Sequence, residues 1–188
     1  MLSLDPATTA LVLIDLQKGI LALPLAPRTG SQVLETGLAL ADRFRAAGAL
    51  VVRIRVAWAP DMADAPSQAV DQPMRRPPEG LPPGFADYPD APLPAGDLSV
   101  TKRHWGAFHG TELDLQLRRR GIRTVVLGGV ATNLGVESTA RSAWEYGYDV
   151  VVAEDATTSL SAEMHAFSIG QILPRISRVV AGADLRLG

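Results

Sequence analysis

The feature that most constrains the fold is a regular alternation of short apolar runs with longer amphipathic stretches. Residues 10–14 form a continuous apolar run, which is typical of a strand buried on both faces, and further short strand-like runs cover residues 50–56, 98–101, 124–130, 149–153 and 178–180. Helical spacing of apolar residues appears at 32–47, 113–120, 134–146 and 162–172. This order predicts βαβ units. We therefore expect an α/β protein with a three-layer α/β/α, Rossmann-like fold and a mostly parallel sheet of about six strands.

The size and charge of the chain exclude several classes of protein. Its 188 residues suit one compact domain, so we expect a single domain spanning residues 1–188. Acids and bases are mixed, the net charge is -2, and no basic stripe is present, which argues against a nucleic-acid partner. No apolar run approaches the roughly 18 residues of a membrane span, and the first residues lack the charged region of a signal peptide. We expect a cytoplasmic enzyme without a membrane partner.

The chain contains no cysteine. This excludes disulfides, thiolate metal sites and a cysteine nucleophile. The three histidines, at positions 104, 109 and 165, form no cluster of the kind that a catalytic zinc needs, and the glycines near residue 130 follow neither nucleotide-binding spacing. The sequence therefore predicts no metal and no cofactor.

Residues 60–94 interrupt the alternation. This segment holds ten of the fourteen prolines and shows almost no periodicity. A long connection of this kind inside a domain is usually a lid, a binding loop or an oligomer contact.

Two ionisable residues follow apolar runs at places where a parallel sheet binds ligands. Asp15 comes directly after the first run, and Lys102 follows residues 98–101. Ligands of such sheets bind beyond the carboxyl ends of the strands, so the two side chains are expected to meet over one crevice. A helix cap or a structural ion pair is the alternative role for Asp15.

A third candidate is the small-residue turn at 128–137, which leads from a buried strand into a helix. Free N–H groups at a helix start favour negative charge, so this turn is a candidate oxyanion hole. Tight packing with Thr132 or Asn133 as helix cap explains the same residues equally well. Trp58, Trp105 and Phe108 are expected in the core or in the wall of the pocket.

These three segments resemble the motifs of the isochorismatase-like hydrolases, which belong to the cysteine hydrolase superfamily. Residues 12–17 (VLIDLQ) resemble the strand with the catalytic aspartate, residues 101–111 (TKRHWGAFHGT) resemble the lysine segment, and residues 129–140 (GVATNLGVESTA) resemble the nucleophile turn. The resemblance implies catalytic roles for Asp15 and Lys102. It also implies substrate contacts from Trp58, Trp105, Phe108, Ala131 and Thr132, and a cis peptide before Ala131.

The chain departs from that pattern at Gly135, where the amide-cleaving members carry the nucleophilic cysteine. Isochorismatases themselves also carry glycine at this position and hydrolyse a vinyl ether without a covalent intermediate, yet they place a tyrosine where this chain has Ala131. Family members that bind a metal use histidines after the second strand, and residues 58–61 contain none. We place Gly135 with Asp15 and Lys102 in the catalytic site.

The sequence thus predicts a hydrolase for a small, carboxylated molecule, with water as nucleophile and Asp15 as general acid or base. Lys102 would orient Asp15 or bind a substrate carboxylate. The alternatives are a non-catalytic small-molecule binder and an amidohydrolase that uses a different nucleophile, Thr132 or Ser138. The resemblance and the small-residue helices also predict a homo-oligomer, either a dimer or a tetramer.

Overall fold

The computed structural model describes residues 1–73, 77 and 80–188. The proline-rich segment 60–94 therefore includes residues 74–76 and 78–79, which lie outside the described residues.

The central element is a six-stranded sheet in which all strands run parallel. Its order is β4-β3-β2-β5-β6-β7. The strands are β2 (Thr9–Ile14), β3 (Leu50–Val56), β4 (Leu98–Lys102), β5 (Thr124–Val130), β6 (Asp149–Thr158) and β7 (Arg178–Val180). The predicted α/β/α fold with about six strands is confirmed, because every predicted apolar run forms a strand of this sheet.

Helices cover both faces of the sheet. They are α1 (Lys18–Leu21), α2 (Gly30–Ala46), α3 (Leu113–Arg119), α4 (Glu137–Glu145) and α5 (Ala162–Phe167). Alternate residues of β2 supply the two cores: Ala10, Val12 and Ile14 pack on the side of α3 and α4, and Leu11 and Leu13 pack on the side of α2. Within the described residues, no helix is both long enough and apolar enough to cross a membrane.

Two predicted helices are shorter than their apolar periodicity indicates. The stretch 134–146 begins with a π-helical turn, Thr132–Val136, before α4, and the stretch 162–172 ends in a second π-helical turn, Ser168–Ile172, after α5. In the first turn the Val136 N–H donates to the Ala131 carbonyl five residues earlier, at 3.1 Å. Hydrophobic spacing does not distinguish one wider turn from an α-helical turn, so the sequence could not show this feature.

A small second sheet joins the two ends of the chain, which the sequence analysis did not predict. It pairs β1 (Leu2–Leu4) with β8 (Leu185–Leu187) in parallel. Each strand has three residues, too few for a periodic pattern to be recognised.

The last part of the connection between β3 and β4, residues 88–90, is held against β3 by side-chain contacts. The Arg53 guanidinium is fully buried and donates to both carboxylate oxygens of Asp90, at 2.7 and 3.0 Å. The Tyr88 hydroxyl donates to the Arg53 carbonyl at 2.9 Å, and its ring lies against the guanidinium. These contacts hold residues 88–90 in a fixed place beside the sheet.

Candidate active site

Asp15 is positioned by the backbone at the end of β2. Its φ of 52° lies in the left-handed region, and its N–H donates to the Ile54 carbonyl at 3.0 Å. Gln17 then ties the chain to the end of β3, because its side chain accepts from the Val56 N–H at 2.8 Å and donates to the Val56 carbonyl at 3.0 Å. The chain thus turns sharply after β2 and is held on both sides of that turn.

Lys102 and Asp15 form a buried ion pair. Lys102 Nζ lies 2.7 Å from Asp15 Oδ2 and donates a second hydrogen bond to the His104 carbonyl at 3.0 Å. The Lys102 side chain is 2% exposed and that of Asp15 is 8% exposed. Their strands are separated only by β3, which explains how residues 87 positions apart meet at one edge.

The environment of Asp15 changes its acidity. Burial raises the pKa of its carboxyl group to about 6, and the nearby Lys102 ammonium only partly opposes this rise. Asp15 Oδ1 accepts no hydrogen bond from the described residues. One carboxylate oxygen is therefore oriented by Lys102, while the other has no protein donor.

Gly135 lies in the π-helical turn beyond β5 and packs closely against its surroundings. A Cβ atom placed there would lie 3.1 Å from Ile14 Cγ2 and 3.2 Å from the Val130 carbonyl oxygen. The Thr139 hydroxyl donates to the Gly135 carbonyl at 2.6 Å and accepts from the Ala107 N–H at 3.1 Å. Thr139 thus joins the turn to the segment that follows Lys102.

The peptide bond between Val130 and Ala131 is cis, as the resemblance implies. Ala131 precedes the π-helical turn without a side-chain cap, so neither Thr132 nor Asn133 caps this helix. The Asn133 amide oxygen instead accepts a hydrogen bond from the Ser159 hydroxyl.

A cavity of about 1100 Å³ brings most of the predicted site together. Asp15, Lys102 and Gly135 line it, as do Trp58, Trp105 and Ala131. The Trp58 indole is held by its N–H, which donates to the Arg103 carbonyl at 2.9 Å, whereas Trp105 is 63% exposed. The remaining wall is mainly apolar, with Ile20, Leu23, Val56, Val70, Leu134 and Leu160.

Two predicted substrate contacts lie outside the lining of this cavity. The Phe108 ring packs in the core against Tyr146 and Tyr148, with ring centroids 5.4 and 5.8 Å apart. Thr132 is fully buried, and its hydroxyl lies 2.8 Å from His165 Nδ1. Both residues belong to motifs that line the site, but their side chains point into the protein.

The surroundings of Thr132 could not be predicted from the sequence. His165 of α5 lies beside this residue and contacts Glu154 on its other side, with 3.1 Å between Nε2 and Oε1. Glu154 lies in an irregular part of β6, where the pairing with β5 jumps from Leu127–Val152 to Gly129–Thr157. No local spacing relates residues 132, 154 and 165, so only the fold reveals this cluster.

Within the described ranges, no group of three or more histidine, cysteine or acidic side chains is placed to hold a metal ion. Asp61, the acidic residue of the segment 58–61, accepts from the Ala63 N–H at 3.1 Å.

Comparisons with known proteins identify relatives of this chain. The model of the isochorismatase domain matches residues 9–184. The isochorismatase family protein YecD of Escherichia coli O157:H7 is 52% identical over 181 residues, which cover 95% of both chains. The ureidoacrylate amidohydrolase RutB of Methylobacterium radiotolerans is 35% identical, over 98% of this chain and 86% of its own.

A solved structure of an isochorismatase family protein from Burkholderia thailandensis shares the whole architecture. It has a TM-score of 0.91 and 44% sequence identity, and the match covers 97% of this chain and 95% of that one. The family model, the relatives and the fold all agree, and we conclude that this chain belongs to the isochorismatase family and is a hydrolase.

Proposed function

We propose that the protein hydrolyses a small molecule by direct attack of water, with Asp15 as general acid or base. The observation that carries this proposal is the buried pair at the cavity, in which Lys102 holds Asp15 Oδ2 and leaves Oδ1 without a protein donor. A carboxyl group with a pKa of about 6 exchanges protons readily near neutral pH. Because the chain has no cysteine, a thioester route is closed.

Lys102 acts as a positioning residue in this proposal. Its ammonium group is nearly inaccessible and already donates to Asp15 and to the His104 carbonyl. Binding of a substrate carboxylate, the other role considered for it, would require breaking one of these contacts. Arg103, whose Nε donates to Asp64 at 2.5 Å, lies on the same cavity and is better placed to receive a carboxylate.

The turn after β5 would stabilise negative charge that develops on the substrate. Ala131 and Gly135 line the same cavity as Asp15, and N–H groups at a helix start favour an anion. Gly135 packs closely against Ile14 and the Val130 carbonyl, so this residue would contribute through its backbone. Trp58 and Trp105 would pack against the apolar part of the substrate.

A substrate panel tests the proposal. It includes isochorismate, ureidoacrylate and simple amides, and each compound is incubated with the wild type and with Asp15→Asn. We expect at least one to be turned over by the wild type, and Asp15→Asn to lose about 10²-fold or more of that activity. The intact mass of the wild type should stay unchanged during turnover, since no acyl-enzyme forms.

The pH profile identifies the direction of proton transfer. For a vinyl ether Asp15 must be protonated to act as an acid, so the rate should fall as the pH rises through about 6. For an amide Asp15 must be ionised to activate water, so the rate should rise over the same range. Full activity of Asp15→Asn, or a trapped acyl group on Thr132 or Ser138, would refute the mechanism. Specific binding without turnover of any compound would instead favour a non-catalytic binder.

A further inference from the structure

A chain of hydrogen bonds runs from the turn beneath the candidate oxyanion hole to the edge of the protein. The Thr132 hydroxyl lies 2.8 Å from His165 Nδ1, and His165 Nε2 lies 3.1 Å from Glu154 Oε1. Arg28 completes the chain, because its NH2 group donates to the same Glu154 oxygen at 2.9 Å. Thr132 and His165 are buried, whereas the Arg28 and Glu154 side chains are about a quarter to a third exposed.

A hydroxyl, an imidazole and a carboxylate linked in this order form the arrangement of a nucleophilic triad. A nucleophile must contact the substrate, however, and the Thr132 side chain is fully buried and lies outside the lining of the cavity. The hydroxyl is directed at His165 of α5. This arrangement argues against Thr132 as the alternative nucleophile and requires a different explanation for the three groups.

We propose that Thr132, His165 and Glu154 are positioning residues that fix the turn 131–136. Thr132 lies in the chain between Ala131 and Gly135, both of which line the cavity. A hydrogen bond from its side chain to a buried imidazole therefore sets the orientation of the peptide groups on both sides. The catalytic consequence rests on the proposed function, while the structural part of the inference does not.

The charge state of Glu154 determines which nitrogen of His165 carries the proton. Burial raises the pKa of its carboxyl group, but the hydrogen bonds from Arg28 and His165 oppose this rise, and the resulting pKa lies below its usual value. An ionised Glu154 accepts hydrogen bonds only, and His165 Nε2 must carry the proton that it donates. In a neutral imidazole Nδ1 is then the acceptor, and the Thr132 hydroxyl donates to it.

Two pairs of variants separate positioning from simple filling of the core. Thr132→Val keeps the shape but removes the hydroxyl, and Thr132→Ser is its matched control because it keeps the hydroxyl. His165→Gln places its amide near the site of Nε2 and loses the contact with Thr132. His165→Asn places its amide near the site of Nδ1 and keeps that contact. Glu154→Gln tests the far end of the chain.

The measurements need no substrate. Nitrogen NMR of the imidazoles, assigned by loss of the His165 signal in the variants, should show the tautomer with the proton on Nε2. Amide hydrogen exchange of residues 131–136 should accelerate about tenfold or more in Thr132→Val and His165→Gln, since one buried hydrogen bond is lost. Thr132→Ser and His165→Asn should stay close to the wild type, and Glu154→Gln should shift the Gly135 amide signal in the direction that Thr132→Val does.

Three results would overturn the inference. They are a proton on Nδ1 instead of Nε2, unchanged exchange at 131–136 in Thr132→Val, and acceleration spread evenly over the whole sheet, which would indicate a general loss of stability. With any substrate that the wild type turns over, Thr132→Val should lower kcat by more than it raises KM. If the panel gives no turnover, the proposed function fails while the exchange data still decide the role of Thr132.

Discussion

The chemistry of the site depends on individual residues that their neighbours hold in place. Lys102 matters because it is buried beside one carboxylate, and its removal leaves that carboxylate without a counterion. Removing one partner of a buried ion pair lowers the free energy of unfolding more than replacing both partners by apolar residues does, because an unpaired charge stays in a region of low polarity.

Lys102→Met should therefore lower the free energy of unfolding by about 3–5 kcal/mol at pH 7. The loss should shrink towards pH 5, because the remaining Asp15 has a raised pKa and is neutral when protonated, so the folded state then buries no unpaired charge. Urea unfolding at the two pH values measures this. The matched control is Lys18→Met, whose pair with Asp87 is exposed and spans 3.5 Å, and which should cost less than about 1 kcal/mol. Equal losses for both variants would contradict the role of burial.

A side chain introduced at Gly135 tests whether this position faces the cavity. Gly135→Cys should fold, at a cost of about 1–3 kcal/mol, because its Cβ would press on Ile14 and on the Val130 carbonyl by only a few tenths of an ångström. The new thiol should react with iodoacetamide, seen as an added mass that the cysteine-free wild type lacks. Gly129→Ala is the contrast, since its Cβ would lie 2.0 Å from the Ile14 carbonyl oxygen at a φ of 116°, and this variant should fail to fold. An unreactive thiol in folded Gly135→Cys would place Gly135 away from the cavity.

Among the larger elements, the long connection between β3 and β4 decides the shape of the cavity. Residues 66–73 contribute to its wall, while residues 88–90 are fastened to β3 through Arg53. One segment thus contributes both to the wall of the cavity and to the anchor on β3.

Asp90→Asn tests this anchor. It should lower the free energy of unfolding by about 2–4 kcal/mol, because the fully buried Arg53 guanidinium loses its counterion. Burial raises the pKa of Asp90, but the hydrogen bond from Arg53 and the positive charge of Arg53 together lower it by more, so this stabilisation is present at neutral pH and is lost as the pH falls below about 4. Thermal unfolding at pH 7 provides the measurement. Asp64→Asn, which affects the exposed pair with Arg103, is the control and should leave the unfolding temperature close to that of the wild type.

At the scale of the whole molecule, exposed apolar side chains gather at the mouth of the cavity. Leu23, Val70, Trp105 and Leu160 are 41–63% exposed and all line it. Contiguous apolar surface of this kind usually marks a binding or association face.

We expect the protein to form a closed homo-oligomer, a dimer or a tetramer, in solution. Light scattering coupled to size exclusion should give a multiple of 20.0 kDa. Trp105→Ser, which replaces the most exposed of these side chains, should shift the equilibrium towards the monomer. Trp144→Ser, at an exposed position of α4 that does not line the cavity, serves as control. A single 20.0 kDa species at micromolar concentration would refute the expectation.

The sequence by itself determined the layers of the fold and the pairing of Asp15 with Lys102. Short runs rich in apolar and β-branched residues favour strands of a sheet that is covered on both faces, and strands such as β3 and β5 agree with their predicted bounds. The positions of Asp15 and Lys102 at the ends of two such strands followed from the same pattern, because parallel strands end at one edge.

Only the tertiary structure decided which neighbouring side chains face the cavity. Phe108 and Thr132 lie a few positions from residues that line it, yet one packs with tyrosines and the other hydrogen-bonds His165. Glu154, His165 and Arg28 come from three separate elements, and Arg53 and Asp90 pair across 37 positions. Such contacts depend on the exact rotation of a turn and on where the chain returns, and no local residue pattern encodes either.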